Sequence, residues 1–440
     1  MNEETPRRVV GIHDKLPILE TIPLSLQHLM AMFGATVLVP LLLGVNPGIC
    51  LLMNGIGTII YSLVTKGGIP AYLGSSFAFI APGTLIISQL GSYEHAQIGF
   101  MVFGAFFVIM AIIIKFCGVK WIDIVMPPAV MGGVVAVIGL ELAPTAASSA
   151  GLVPSANPAP GTMIVSLITL AVAIFGSVLL RGFAKIIPIL IAVIVGYFVA
   201  MPFGLVDLSG VGAAAWVGFP KVYLPIVNKD SMTAILIIAP AMLVVLCEHI
   251  SHLIVTGNIT GTNLIKKPGL HRSLLGDGIS NIISGFFGST PNTTYGENIG
   301  VMAITRVYSV WVIRGAAIIA IVFSLIPKFS AVIQSLPWAV IGGVCIYLYG
   351  VIAISGIRML VEKKVDFSKN YNMVLGAIVF CVGVSGATIQ LGSVALSGMA
   401  LSAVTGVVIS LFFYLFSRLG WMNEKYDPHE GADSEEVAEK

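Results

Sequence analysis

Apolar runs about as long as a membrane-spanning helix recur along almost the whole chain. Four of the clearest cover residues 163–180, 186–206, 232–246 and 398–416. An α-helix needs about 20 predominantly apolar residues to cross the hydrocarbon core of a bilayer. No stretch between these runs is long enough and polar enough to form a soluble domain. The pattern therefore predicts an all-α polytopic membrane protein.

Composition supports this class and narrows the choice of partners. Of 440 residues, 57% are hydrophobic and 10% are charged, whereas soluble domains average roughly 25% charged residues. The net charge of +2 gives no indication of a nucleic-acid partner, so membrane lipid is the expected surroundings. The five cysteines are scattered and are interpreted as small apolar residues. We therefore expect no metal site, no disulfide framework and no cofactor.

The distribution of basic residues predicts the topology. One arrangement places all 23 Lys and Arg in the cytoplasm except Lys221, Lys229 and Lys328. This arrangement has eight cytoplasmic segments, counting both termini, and therefore predicts 14 spans. The first 17 residues are charged and have no apolar core, so no cleavable signal peptide is expected. The predicted location is the cytoplasmic membrane, with both termini inside.

Two of the predicted spans do not read as ordinary helices. Only residues 273–305 are available for two crossings between Arg272 and Arg306, although two full helices need about 40 residues. The polar run 288–298 lies in this interval, and the segment 71–79 has a similar Gly-Ser-aromatic character. Irregular backbone at membrane depth survives only where protein or a water-filled cavity surrounds it. We therefore predict short strands in broken spans 3 and 10.

The chain contains an internal repeat. The sequence PAVMGGV at residues 128–134 is followed about 210 residues later by WAVIGGV at 338–344, and 74–76 matches 288–290 at a similar distance. With 14 spans, each copy contains seven, and an odd number inverts the second copy. A 7+7 inverted repeat with broken spans meeting near the midplane is typical of secondary transporters. No P-loop, metalloprotease motif or nucleophile elbow points to an ATP-driven pump or an enzyme.

Residues 297–306 carry a specific family signature. The sequence ENIGVMAITR has a Glu, then Asn-x-Gly, then Thr-Arg after four residues. It resembles the nucleobase-ascorbate transporter family, and segments 25–28, 71–79, 248–252 and 347–350 resemble the bacterial uracil permeases within it. The likeness extends from about residue 16 to residue 416. It implies a proton-coupled importer of uracil.

The resemblance also implies a division into domains. A core domain would contain spans 1–4 and 8–11, and a gate domain would contain spans 5–7 and 12–14. The strands of spans 3 and 10 would meet at the substrate, and gate domains would assemble a homodimer. The expected boundaries are cytoplasmic tails at 1–20 and 421–440, core segments at 21–120 and 231–326, and gate segments at 121–230 and 327–420.

Uracil is a flat, neutral ring whose N–H donors alternate with carbonyl acceptors. By resemblance, Glu248 and Glu297 would accept the ring N–H groups, in bonds worth roughly 1.5 to 3 kcal/mol each. The backbone N–H groups of Phe77 and Gly296 would donate to the carbonyls. Apolar contacts with the ring would come from Ala31, Tyr295 and Tyr349.

Proton coupling requires a titrating group near the substrate. His252 follows Glu248 by four residues, so on a helix the two side chains share a face. We expect them to form a proton relay with Glu297 and to titrate together. By resemblance, Gln27 and His28 would support the site from the first span, and Asn298 would hold the strand–helix junction.

Two alternatives remain open at this point. A purine permease, for xanthine or uric acid, would share the same mechanism, although purine carriers of the family usually have Gln or Asn where Glu297 stands. Each buried acid could also be a purely structural hydrogen-bonding group. His249 is interpreted as structural, and Asp277 and Glu141 are given no role.

Overall fold

The predicted apolar runs form helices, and the interruptions fall at glycine, proline and short polar segments. The computed structural model describes residues 9–153, 158–391 and 394–427. The predicted tails are therefore described only from residue 9 and as far as residue 427. Within this range helices dominate, as the all-α prediction required.

The first half of the chain begins with two helices that meet at a bend, and its last helix is followed by a linker to the second half. Its elements are α1 (Ile18–Ala31), α2 (Phe33–Leu42), α3 (Pro47–Val64), β1 (Leu73–Ser75), α4 (Ile80–Leu90), α5 (Tyr93–Cys117), α6 (Lys120–Val125), α7 (Pro128–Ser149), α8 (Thr162–Leu179), α9 (Pro188–Ala200) and α10 (Ser209–Ala213).

The second half follows the same order with one long first helix. Its elements are α11 (Ser231–Thr260), α12 (Leu270–Phe287), β2 (Asn292–Thr294), α13 (Gly296–Thr305), α14 (Val310–Ser324), α15 (Pro327–Gln334), α16 (Trp338–Glu362), α17 (Asn370–Val384), β3 (Thr388–Leu391), β4 (Val394–Ser397) and α18 (Gly398–Arg418). The β3–β4 hairpin is antiparallel, and the sequence interpretation did not include it.

Membrane-spanning helices can be counted by length and composition. In the described part of the chain, seven helices are long and apolar enough to cross a bilayer, or nine if each bent pair is one span. Three shorter apolar helices, at residues 77–90, 188–203 and 370–384, fall below that length. The protein is therefore multi-pass, and the count of 14 stays a prediction.

Equivalent helices of the two halves run antiparallel to each other. Along the α3–α12 contact, Gly57 faces Ser280 whereas Gly276 faces Tyr61. The order of contacts is thus reversed along the second helix. Strands β1 and β2 also pair antiparallel. Elements related by an axis in the membrane plane have this orientation, so the predicted inverted repeat is confirmed.

Packing between the halves obeys the same symmetry. Helix α5 packs against α12 and α11, and the equivalent helix α14 packs against α3 and α1. Helix α7 packs along its own equivalent, α16. Helix α7 also contacts α17 and α18 of the second half, and α16 contacts α8 and α9 of the first half. These exchanged contacts place the two broken spans, with β1 and β2, between the first helices of the two halves.

The α7–α16 contact depends on glycine. A Cβ on Gly139 would lie 2.1 Å from the carbonyl oxygen of Tyr349 and 2.7 Å from the amide nitrogen of Ala353. On α16, a Cβ on Gly356 would come similarly close to the backbone of Ala136. Small residues let helix backbones approach, and this contact supplies packing that lipid cannot supply. Gly132 and Gly342, which match each other in the repeat, also lie in this contact.

We predict that Gly139→Ala lowers the thermal unfolding temperature of the purified protein by several degrees, because the added methyl group forces α7 and α16 apart. Gly350→Ala on α16 is the matched control, since a Cβ there has no neighbour within 4 Å among the described residues. Equal unfolding temperatures for the two variants would contradict the close-packing role of Gly139.

Candidate functional site

The two broken spans meet as a two-stranded antiparallel ladder. Leu73 pairs with Thr294, Gly74 with Thr293 and Ser75 with Asn292. The pairing continues beyond the strands through the amide of Ser76, which donates to the carbonyl of Pro291 at 2.9 Å. Each strand then turns directly into a helical segment, at Phe77 and at Gly296. Because the strands are antiparallel, the two helix starts lie at opposite ends of this short ladder.

Tyr295 fixes this ladder from one side. Its ring lies over Gly74, where a Cβ would be 2.0 Å from a ring carbon, so only glycine fits at that position. Its hydroxyl donates a hydrogen bond to the carbonyl of Ser75. The side chain is 5% exposed. The structure thus places Tyr295 inside the ladder, and its expected contact with a ligand ring stays a prediction.

A buried asparagine on α12 forms hydrogen bonds with the backbone of β2 along the edge that does not pair with β1. The side chain of Asn281 accepts from the amide of Asn292 at 2.6 Å and donates to the carbonyl of Asn292 at 3.0 Å. The side-chain amide of Asn292 in turn donates to Ser280 and Ser284. Unpaired backbone groups at membrane depth cost several kcal/mol each. Asn281 therefore stands in for a third strand.

The same asparagine leads to a fully buried pair of His249 and Asp277. Asn281 donates to one carboxylate oxygen of Asp277 at 2.9 Å, and the other oxygen lies 2.9 Å from Nδ1 of His249. Nε2 of His249 is 2.7 Å from the hydroxyl of Ser273, which is 2.6 Å from that of Tyr61. The sequence interpretation treated His249 as structural and gave Asp277 no role. Two ionisable residues in neighbouring spans were the signal that could have suggested the pair.

The two predicted acids lie on helices that contact each other. Glu248 is in the middle of α11, and Glu297 is in the first turn of α13. Helices α11 and α13 pack together, and Glu248 is partly accessible whereas Glu297 is exposed. Neither acid is therefore sealed within the packed core.

His252 lies between α11 and the start of α13. It follows Glu248 by one turn of α11, and its Nδ1 lies 3.2 Å from the hydroxyl of Thr294 at the end of β2. Its Nε2 lies over Gly296, 3.3 Å from where a Cβ would be. The imidazole thus touches the strand–helix junction immediately before Glu297. The structure brings the expected relay residues into one cluster.

The other predicted site residues divide by exposure. Ala31, Phe77 and Gly296 are partly accessible, as expected of groups that line open space. Gln27 is 7% exposed and Tyr349 is 1% exposed, so both are buried. Tyr349 lies on α16, whereas the acids lie on α11 and α13.

His28 and Asn298 join α1 to α13. The side-chain nitrogen of Asn298 lies 3.1 Å from Nδ1 of His28, and both residues are buried. Asn298 was expected to hold the strand–helix junction, and its amide instead contacts the first span. This contact fixes the helix that carries Glu297 against α1.

A metal ion is not suggested by the donor set. Within residues 9–153, 158–391 and 394–427, no group of three or more His, Cys, Asp or Glu side chains is arranged to hold a metal. The chemistry that the accessible cluster offers is hydrogen bonding and proton exchange.

Comparison with known proteins identifies relatives along nearly the full length. A family model described as "Permease family" matches residues 19–392. The uracil permease of Paenibacillus larvae subsp. larvae is 56% identical over 422 residues, covering 95% of this chain and 99% of that protein. The uracil permease of Escherichia coli K12 is 54% identical, with 94% and 96% covered. That of Bacillus subtilis is 43% identical, with 91% and 94% covered.

Solved structures with low sequence identity share the fold. The transmembrane domain of a cyanobacterial bicarbonate transporter, BicA, matches with a TM-score of 0.61 at 15% identity, covering 92% of this chain and 99% of that one. The structure of SLC26A9 matches with a TM-score of 0.69 at 14% identity, covering 91% and 65%. The resemblance found at residues 297–306 is confirmed by the family match. The chain belongs to this permease family and is a membrane transporter.

Proposed function

We propose that this chain imports uracil together with protons by alternating access across the cytoplasmic membrane. The observation that carries the proposal is the contact of His252, one turn of α11 after Glu248, with the strand–helix junction immediately before Glu297. The names of relatives at 43% to 56% identity support uracil as the substrate.

The proposed binding mode follows from the complementarity of the groups. Glu248 and Glu297 accept hydrogen bonds from the two ring N–H groups of uracil. The amides of Phe77 and Gly296 stand at helix starts, where N–H groups have no acceptor within the helix, and donate to the ring carbonyls. Ala31 and the tyrosines at 295 and 349 limit the thickness of the pocket. A solute that lacks one of these groups leaves a buried partner unpaired and is rejected.

The proposed proton path runs through the imidazole of His252. Its contacts with Thr294 and Gly296, one turn of α11 after Glu248, support this path, and histidine exchanges protons readily near neutral pH. A proton held by this cluster reduces the repulsion between the carboxyl groups and lets both approach the substrate. Release of the proton and uracil to the cytoplasm then resets the cluster.

Alternating access requires two bodies that move against each other. We assign the core domain to 21–120 and 231–326 and the gate domain to 121–230 and 327–420. The packing of α5 and α14 within the first set, and of α7 and α16 within the second, supports this division. Cytoplasmic termini and a homodimer formed through gate domains complete the proposal.

Competition for uptake tests the substrate. Uptake of labelled uracil into proteoliposomes should be saturable and should be blocked by excess unlabelled uracil but not by xanthine or hypoxanthine, because the second ring of a purine does not fit. Stronger inhibition by xanthine than by uracil would instead identify a purine permease and overturn the uracil assignment.

Neutralising either acid should weaken binding. We expect Glu248→Gln and Glu297→Gln each to raise the Kd for uracil about tenfold or more, because each loses a charge-assisted hydrogen bond worth roughly 1.5 to 3 kcal/mol. Isothermal titration of the purified variants measures this. Glu362→Gln is the control, since Glu362 forms a surface ion pair with Arg358 and should bind as the unaltered chain does. Gradient-driven uptake retained by the double variant would refute the binding mode.

Replacing the imidazole should separate transport from the proton gradient. His252→Gln cannot carry a proton, so we expect exchange of labelled for unlabelled uracil to persist while accumulation driven by an inward pH gradient is lost. His271→Gln, at a partly exposed position at the start of α12, should accumulate uracil normally. Undiminished gradient-driven accumulation by His252→Gln would exclude its role in coupling.

A further inference from the structure

Each half of the chain is preceded by an extended segment that binds the other half. We call residues 10–14, which precede α1, the inner leading segment, and residues 223–228, which precede α11, the outer leading segment. Neither belongs to a helix. Both attach to the connection that follows a broken span of the opposite half.

The inner leading segment pairs with the chain between α13 and α14. The amide of Val10 donates to the carbonyl of Arg306 at 3.0 Å, and the carbonyl of Val10 accepts from the amide of Tyr308 at 2.9 Å. The amide of Val310 donates to Ile12 at 2.9 Å. Val10 and Val307 are partners in a parallel bridge, and Val10 is 4% exposed. The segment is therefore packed into the fold like a strand.

The inner leading segment holds a strained point. Arg306 ends α13 in the left-handed conformation, with φ of 56°, which residues other than glycine seldom adopt. Such a conformation persists only where surrounding contacts impose it. Helix α13 is ten residues long and has Glu297 in its first turn. A fixed position at Arg306 is therefore transmitted along a rigid helix to the carboxyl group.

The outer leading segment makes a related set of contacts. The amide of Ile226 donates to the carbonyl of Glu94, in the first turn of α5, at 3.2 Å. The carbonyl of Tyr223 accepts from the side chain of Gln97 on α5 at 2.8 Å, and the amide of Tyr223 donates to the carbonyl of Phe287 of its own half at 3.3 Å. Glu94 follows the broken span of the first half as Arg306 follows that of the second. The inverted repeat thus extends to the leading segments.

We infer that the two leading segments are positioning elements for the site: each fixes the helix that continues the other half's broken span. The inner segment sets the position of Glu297 through α13, and the outer segment sets that of the Phe77 amide through the start of α5 and the helix α4 that precedes it. Neither segment touches the substrate, and both stay docked throughout transport. This inference rests on the proposed function, because it assigns those two groups to the substrate.

The first experiment removes one hydrogen bond from the full-length chain. Val10→Pro deletes the amide that donates to Arg306, and Val9→Pro is the control, since Val9 is 58% exposed and its amide bonds to nothing within the described residues. We expect Val10→Pro to raise the Kd for labelled uracil about tenfold relative to Val9→Pro, because small displacements of binding groups have large effects. The thermal unfolding temperatures of the two purified variants should be similar.

A cross-link tests whether the inner segment stays docked. Bridge partners lie about 5 Å apart, within the range of a disulfide, so Val10→Cys with Val307→Cys can be oxidised in proteoliposomes. We expect uptake to continue after cross-linking. Loss of uptake that a reductant restores would show that the segment must detach, and would overturn the inference.

The outcomes separate this inference from the proposed function. Equal Kd values for Val10→Pro and Val9→Pro, with normal binding by the unaltered chain, would overturn the positioning role alone. Failure of the unaltered chain to bind uracil would overturn the proposed function and this inference with it. If Val10→Pro does not fold, Ile226→Pro against Val227→Pro applies the same comparison to the outer segment, where Val227 is 77% exposed.

Discussion

The structure depends on satisfying the backbone of two broken spans at membrane depth. Strands β1 and β2 are three residues long, so their own ladder satisfies only part of each strand. The remaining groups are met by the side chain of Asn281 at Asn292, by the hydroxyl of Tyr295 at Ser75 and by the hydroxyl of Thr58 at Leu73. Without these bonds, extended chain in hydrocarbon would be too costly to persist. The helices around the strands are arranged so that these few side chains reach them.

This constraint also explains why polar chemistry concentrates at one place. A strand that ends inside the membrane delivers a helix start there, with unpaired N–H groups and a positive dipole end. Both favour a carboxylate such as Glu297 nearby. Helix α11 passes the same point with two polar faces. Glu248 faces the accessible region, whereas His249, turned by about 100°, is sealed in the pair with Asp277. Adjacent residues of α11 thus face an accessible region on one side and a buried contact with α12 on the other.

The inverted repeat uses each of these packing contacts twice. Helix pairs α3–α12 and α7–α16 join equivalent helices antiparallel, so small residues at matching positions serve one contact twice. The segments that precede α1 and α11 also each form hydrogen bonds with the other half. Because each half supplies contacts that the other half needs, neither broken span is held by its own half alone. The site at the centre is therefore a property of the two halves together.

The sequence by itself determined the membrane class, the repeat and the places where helices break, and it indicated the residues that we propose carry the chemistry. These features depend on local composition, on spacing and on the signature at 297–306. It did not reveal the β3–β4 hairpin, the pairing of His249 with Asp277 or the contact of Asn298 with His28. Such pairings depend on how each helix is rotated and where it crosses its neighbours. Periodicity specifies which face of a helix is buried, and only tertiary packing decides which buried group that face meets.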